Sequence, residues 1–241
     1  MKFKFAAVIS AILVTASPYA IAKDIDNIEG LTQAQFKSLS EDIGAILSYK
    51  PVSPGEPLGL LGFDIGVEVT GTELKDTNIW NIATNSTDVS DMVPVPKLHL
   101  IKGLPLDIDV GLVYSAVPDS NISMVGGELR YAFVSGNTLM PAIAIRASMT
   151  KLSGVDELDA STKGLDISIS KGFAMLTPYA GIGQVWVDSK PKVAVPLQDE
   201  SFTQNNYYIG ANLNLGVINT AVEYDNTDSH NSYSLKIGWR F

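Results

Sequence analysis

From Gly62 onward the chain alternates apolar and polar positions in segments separated by turn-forming residues. Successive strand side chains point to opposite faces, so a period of two predicts strands with one apolar face. Ten are expected, at about residues 63–73, 95–103, 105–117, 122–134, 140–150, 164–173, 177–188, 205–216, 218–226 and 232–241. The clearest are Phe63-Ile65-Val67-Val69, Leu106-Ile108-Val110-Leu112-Tyr114, Leu129-Tyr131-Phe133 and Tyr207-Ile209-Ala211-Leu213-Leu215.

Residues 23–61 break this pattern. Thr32 and Gln35 fit a capping box. Phe36, Leu39, Ile43, Ile46 and Leu47 recur at helical spacing, with Gly44 weakening the helix near its end. Pro51, Pro54, Gly55, Pro57, Gly59 and Gly62 then prevent regular structure. The helix either packs beneath the strands or plugs the space they enclose, and the sequence leaves both open. A further strand at Ala45 to Lys50, matched by one at residues 77–84, would raise the count to twelve.

The last strand runs to the final residue. Tyr233, Leu235, Ile237, Trp239 and Phe241 alternate with Ser234, Lys236, Gly238 and Arg240. A polar residue, Gly two places later, alternating hydrophobics and a terminal Phe resemble the C-terminal signal of Gram-negative outer-membrane β-barrel proteins. The resemblance implies that Tyr233, Leu235, Gly238, Trp239 and Phe241 close a barrel and are read by the barrel-assembly machinery. It also implies outer-membrane lipids and lipopolysaccharide as the surroundings. The expected fold is therefore all-β: a closed antiparallel transmembrane β-barrel of about ten strands with a short N-terminal helix.

Connection lengths agree with that expectation. Such barrels have short periplasmic turns and longer external loops. With both barrel ends periplasmic, the odd-numbered connections are external, and these include the long ones at 74–94, 151–163 and 189–204. On the apolar face, Tyr114, Tyr207, Tyr224 and Tyr233 fall toward the external ends. Phe63, Tyr131, Phe133, Phe173, Tyr179, Trp239 and Phe241 fall toward the periplasmic ends, giving two interfacial rings.

The N-terminus fits export. Lys2 and Lys4 precede an apolar run from Phe5 to Val14 and a small-x-small site at Ala20-Ile21-Ala22. The expected organisation is a signal peptide at 1–22, a helical and Pro/Gly-rich segment at 23–61, and a barrel at 62–241. Cleavage removes Lys2 and Lys4, making the formal charge of −9 two units more negative. Such an acidic chain is not expected to bind nucleic acid. Without cysteine, a lipid-modified N-terminal Cys, disulfides and thiolate metal sites are excluded. No run of about 18 apolar residues follows the signal, so a membrane-spanning form must be a closed barrel without open sheet edges.

The face opposite the apolar one carries Asp64, Glu68, Asp107, Asp109, Glu128, Arg130, Arg146, Asp166, Gln184, Asn212, Asn214, Glu223, Lys236 and Arg240. A Lys or Arg on the lipid side would cost roughly 2–4 kcal/mol at mid-depth, so these positions must line the lumen. Ten strands about 4.8 Å apart and tilted by about 40° give a backbone diameter of about 20 Å, which side chains largely fill. Two functions follow. One is passive passage or binding of small solutes, porin-like, through an open or plugged lumen, with acidic excess favouring cations. The other is a structural envelope barrel without conductance. Opposite charges paired at one height indicate the second, and unpaired acidic rings the first. The sequence does not name a solute.

Two sets of residues resemble enzyme centres found in barrels. Asp228-Ser229-His230 and Asp107-Ile108-Asp109 resemble the two halves of the omptin protease centre, but the strand order puts them about a membrane thickness apart. His230 and Ser232 resemble the His-x-Ser of lipid A deacylase barrels, which would imply an outer-membrane lipid-modifying hydrolase. The leading expectation is no enzymatic activity. His99 alternates with Leu98 and Leu100 and should face the lumen. No spacing suggests a metal site, phosphate loop or dinucleotide motif, so no cofactor is expected.

Overall fold

A computed structural model describes residues 24–117 and 120–241. The expected signal peptide lies outside the described residues. Ten antiparallel strands, β1 (Phe63–Glu73), β2 (Met92–Leu104), β3 (Ile108–Ala116), β4 (Ser123–Ser135), β5 (Ala142–Ser153), β6 (Leu158–Ser170), β7 (Leu176–Pro191), β8 (Glu200–Leu215), β9 (Ile218–Thr227) and β10 (His230–Arg240), pair in sequence order. The barrel closes where β10 meets β1, in a register running from Asp64 opposite Arg240 to Thr72 opposite Ser232. Phe63 and Phe241 extend the seam by exchanging backbone hydrogen bonds of 2.8 and 3.0 Å. Phe241 thus takes part in closure.

Outward positions form an apolar belt. Ile65, Val67, Leu100, Leu112, Leu129, Ile145, Ile167, Ile182, Ile209, Val222 and Leu235 are all exposed. Phe63 and Phe241 stack at one rim with ring centroids 5.7 Å apart. Tyr207, Tyr224 and Tyr233 form a row nearer the other, at 6.3 and 5.6 Å. The rim holding Phe63 and Phe241 is the proximal mouth, and the opposite rim the distal mouth. Proximal connections are tight: Gly216, at φ 74°, opens the two-residue turn between β8 and β9.

Distal connections depart from expectation. The stretch expected as a loop at 151–163 is mostly ladder, because β5 and β6 continue past the belt until Ser153 and resume at Leu158. β7 and β8 likewise extend into the expected loop at 189–204, pairing Ser189 with Glu200. The strands continue because their inward side chains find an apolar partner. Leu152, Val155, Leu158 and Ala160 are buried in one cluster with the N-terminal helix.

That helix, α1 (Gln33–Leu47), starts at the expected capping box: Gln35 N donates to the Thr32 hydroxyl, and Thr32 N to the Gln35 side chain at 2.9 Å. Phe36, Leu39, Ile43 and Leu47 form its buried stripe. A second helix, α2 (Thr77–Ala83), occupies the first connection, where Asp76 caps it. The twelve-strand alternative is thereby corrected, because 77–84 is largely helical and 45–50 joins no sheet.

Candidate functional site: a threaded lumen

The N-terminal segment passes through the barrel. At the distal mouth, Ser120 donates to Asp24 at 2.6 Å, Ile28 N to Glu157 at 2.9 Å, and Gln198 N to Gln33 at 2.8 Å. Helix α1 sits inside the same mouth against β5, β6 and β7. Its Ser40 hydroxyl bonds Ser189 at 2.8 Å, and Thr150 caps its Leu47 carbonyl at 2.6 Å. Gly44 is required for this fit, since a Cβ there would lie 2.7 Å from Val187 and 2.8 Å from Gln204. The expected weakening of the helix is thus the condition for its docking.

Below the helix the chain continues toward the proximal mouth, meeting a new partner at each step. Tyr49 bonds His99 at 2.9 Å, and Lys50 pairs with Asp225. Val52 N donates to Glu223 at 3.0 Å, and Arg130 donates to Ser53 and to the Pro54 carbonyl at 3.0 and 2.8 Å. Leu58 N reaches Asp109 at 3.1 Å, and Gly62 then leads directly into β1. Val52, fully buried at φ 39°, occupies a backbone region that β-branched residues avoid. Strain of this kind persists only where the surroundings over-determine the conformation. Of the two placements left open for the helix, the structure has the plug.

Most luminal charges are paired, Glu223 being the acid without an ion pair among the described residues. Asp109 and Arg130 are direct register partners bonded at 2.6 Å, as are Arg146 and Asp166 at 2.7 Å. Arg130 and Arg146 are themselves opposite each other, so four strands carry one row of acid, base, base and acid. Glu128 adds a contact of 3.5 Å to Arg146. Glu68 pairs with Lys97 at 2.9 Å, and Asp64 takes Lys236 at 3.0 Å and Arg240 at 3.5 Å. Buried pairs with both charges satisfied are not left at the desolvation cost that a lone buried charge carries. Of the expected luminal set, Asp64, Glu68, Asp109, Glu128, Arg130, Arg146, Asp166, Glu223 and Lys236 are buried inside, and Arg240 lies at the proximal rim.

Three expectations fail. Asp107 is not luminal: it is exposed in the proximal turn at φ 58°, where Ser135 donates to it at 2.7 Å. Gln184 faces outward and bonds Asn205 at 3.4 Å, beside Trp186. Tyr179 faces inward rather than toward lipid. The last two share a cause. Helix α1 makes the distal lumen apolar, so Val185 and Val187 point inward there and the apolar face changes sides along β7. Tyr179 and Tyr208 then lie across the inward glycines Gly210 and Gly181 of each other's strand. The repeated Tyr-x-Gly at Tyr179 and Tyr208 is the sequence signal for that fit.

Lys97 and Asp225 belong to the same network and were legible, since they alternate with His99 and Glu223. Lys50 carried no local signal. Asp42 and Trp80 were also missed, and they complete the distal latch. The Asp42 carboxylate accepts from His230 Nε2 at 2.7 Å, Trp80 Nε1 at 2.7 Å and Lys75 N at 3.3 Å. His230, expected in a loop, is the first residue of β10 and is buried, with Nδ1 held by the Thr227 carbonyl at 2.9 Å. Ser232 instead bonds Thr72 at 3.0 Å. The pair considered for hydrolysis is therefore engaged in holding helix and wall, with neither side chain bonded to the other among the described residues.

No protein-family model matches the chain, and neither does any curated protein. Several solved barrels are similar at low identity. The N-terminal β-barrel domain of OprF from Pseudomonas aeruginosa shares 12% identity over 73% of this chain and 97% of its own, with a TM-score of 0.38. Ail, the attachment invasion locus protein of Yersinia pestis, shares 13% over 75% and 98%, with a TM-score of 0.33. The outer membrane protein OprG of P. aeruginosa shares 12% over 78% and 99%, with a TM-score of 0.35. Likeness at this level identifies neither family nor activity.

Proposed function

We propose that the chain is a Gram-negative outer-membrane barrel whose resting state is sealed by its own N-terminal segment, serving as a structural envelope barrel. The observation that carries this reading is the run of contacts from Ser40 to Leu58, which ties the segment to the inner wall at successive heights. The outward belt of aliphatic side chains between two aromatic groups supports placement in a bilayer. The C-terminal pattern and the expected signal peptide support the outer membrane of a Gram-negative bacterium, reached by the general secretory route. Folding would then use the barrel-assembly machinery, with lipopolysaccharide and lipids as neighbours.

Passage of small solutes requires the segment to leave, against the buried pair at Lys50 and Asp225 and the latch at Asp42 and His230. No observation favours that departure. Swelling of liposomes containing the full chain in iso-osmotic small sugars tests the proposal. A sealed barrel gives the swelling rate of protein-free vesicles, and a solute-permeable one gives rates that fall as the sugar grows.

A further inference from the structure

Asp24, the first described residue, and Phe241 stand at opposite mouths of the barrel. An even number of strands returns Phe241 to the rim where Phe63 begins, and the segment before Phe63 crosses the lumen once. Asp24 and Ile28 are therefore held at the distal mouth, by Ser120 of the β3–β4 connection and Glu157 of the β5–β6 connection. We infer that the N-terminal end is delivered through the lumen to the cell exterior, where residues 24–31 form part of the surface cap. The inference rests on the outer-membrane reading, which places the distal mouth outside.

The cap is built from several elements at once. Asp26 and Asn27 donate their backbone N–H groups to the Ala83 carbonyl at 3.1 and 3.0 Å, joining the N-terminal residues to α2. Ile28, buried in a single 3₁₀ turn, packs in the same cluster as Trp80 and Val155. Asp26 and Glu29 remain exposed.

Because the chain has no cysteine, single thiols report sidedness directly. Asp26→Cys marks the N-terminal cap, Asp88→Cys the β1–β2 connection at the distal mouth, and Thr138→Cys the proximal β4–β5 turn; all three positions are exposed. Each variant is labelled with a membrane-impermeant maleimide on intact cells and again after the outer membrane is opened. Equal labelling of the cap and β1–β2 variants in intact cells, with the β4–β5 variant labelled only after opening, supports the inference. If the β1–β2 variant is labelled in intact cells but the cap variant only after opening, the inference is overturned while the outer-membrane reading stands. If the β4–β5 variant but not the β1–β2 variant is labelled in intact cells, the orientation itself is overturned. A fold check comes from Ser40→Cys with Ser189→Cys, whose native hydroxyls lie 2.8 Å apart. Their disulfide in the mature protein requires α1 to be lodged in the mouth, and free thiols under oxidant count against it.

Discussion

Replacing Lys50 by Met removes the one cation that the threaded segment gives to the middle of the lumen. Its side chain is fully buried, paired with Asp225, and donates to Ser48 at 2.6 Å and Thr227 at 3.3 Å. Met fills similar space but leaves Asp225 uncompensated. Removing one partner of a buried pair costs about 3–5 kcal/mol. Asp225 keeps two neutral donors, Asn206 and Thr227, so the lower end, about 3 kcal/mol, is expected. Urea titration in detergent, read by the gel mobility of unheated samples, measures the loss. The double variant Lys50→Met with Asp225→Asn should recover about 1–3 kcal/mol relative to the sum of the single variants. A loss below about 1 kcal/mol, or additive single effects, would mean that Lys50 does not sit against Asp225.

Further outcomes follow from the distal latch and the wall. Asp42→Asn weakens a carboxylate that takes three donors and should cost about 1.5–3 kcal/mol by the same titration, with unchanged stability counting against the latch. Gly44→Leu forces a side chain against Val187 and Gln204 and should destabilise by about 1–3 kcal/mol, whereas a neutral result would place α1 away from β7 and β8. Gly181→Val removes the recess that holds the Tyr208 ring and should lower the midpoint of thermal unfolding; Ala180→Val, one residue away on the outer face, should not.

Much of the barrel was legible because strand alternation is a local property. β1 begins at Phe63 as the sequence pattern places it, and β9 and β10 agree to within two residues. Alternation misleads where the environment changes along one strand. In β7 the same face meets charged lumen near Asp166 and an apolar helix near Val187, so a single assignment of sides put both Tyr179 and Gln184 on the wrong face. Asp107 was misplaced by continuing a strand through residues with positive φ, where the chain turns. The plug was not legible as such. Its ties join residues far apart in sequence, Lys50 to Asp225 and Asp42 to His230, and no local pattern encodes a partner at that distance.

The same separation explains why the luminal charges suggested a cation pathway. Counted along the strands, acids exceed bases, but Lys50 comes from outside the strands and Lys97, beside His99, stands outside the expected luminal set. Once both are included, the row from Asp109 to Asp166 and the pairs at Glu68, Asp64 and Asp225 leave Glu223 as the luminal acid without an ion pair among the described residues.

Single-channel recording in planar bilayers, on the full chain carrying Ser40→Cys and Ser189→Cys, tests the seal most directly. With the disulfide formed, the segment is fixed in the lumen and every other contact is native. A sealed barrel predicts a flat current baseline at all moderate voltages, unchanged when an added thiol reductant cleaves the disulfide. Resolved, ohmic steps from the cross-linked protein would show a conducting path beside the segment and contradict the seal.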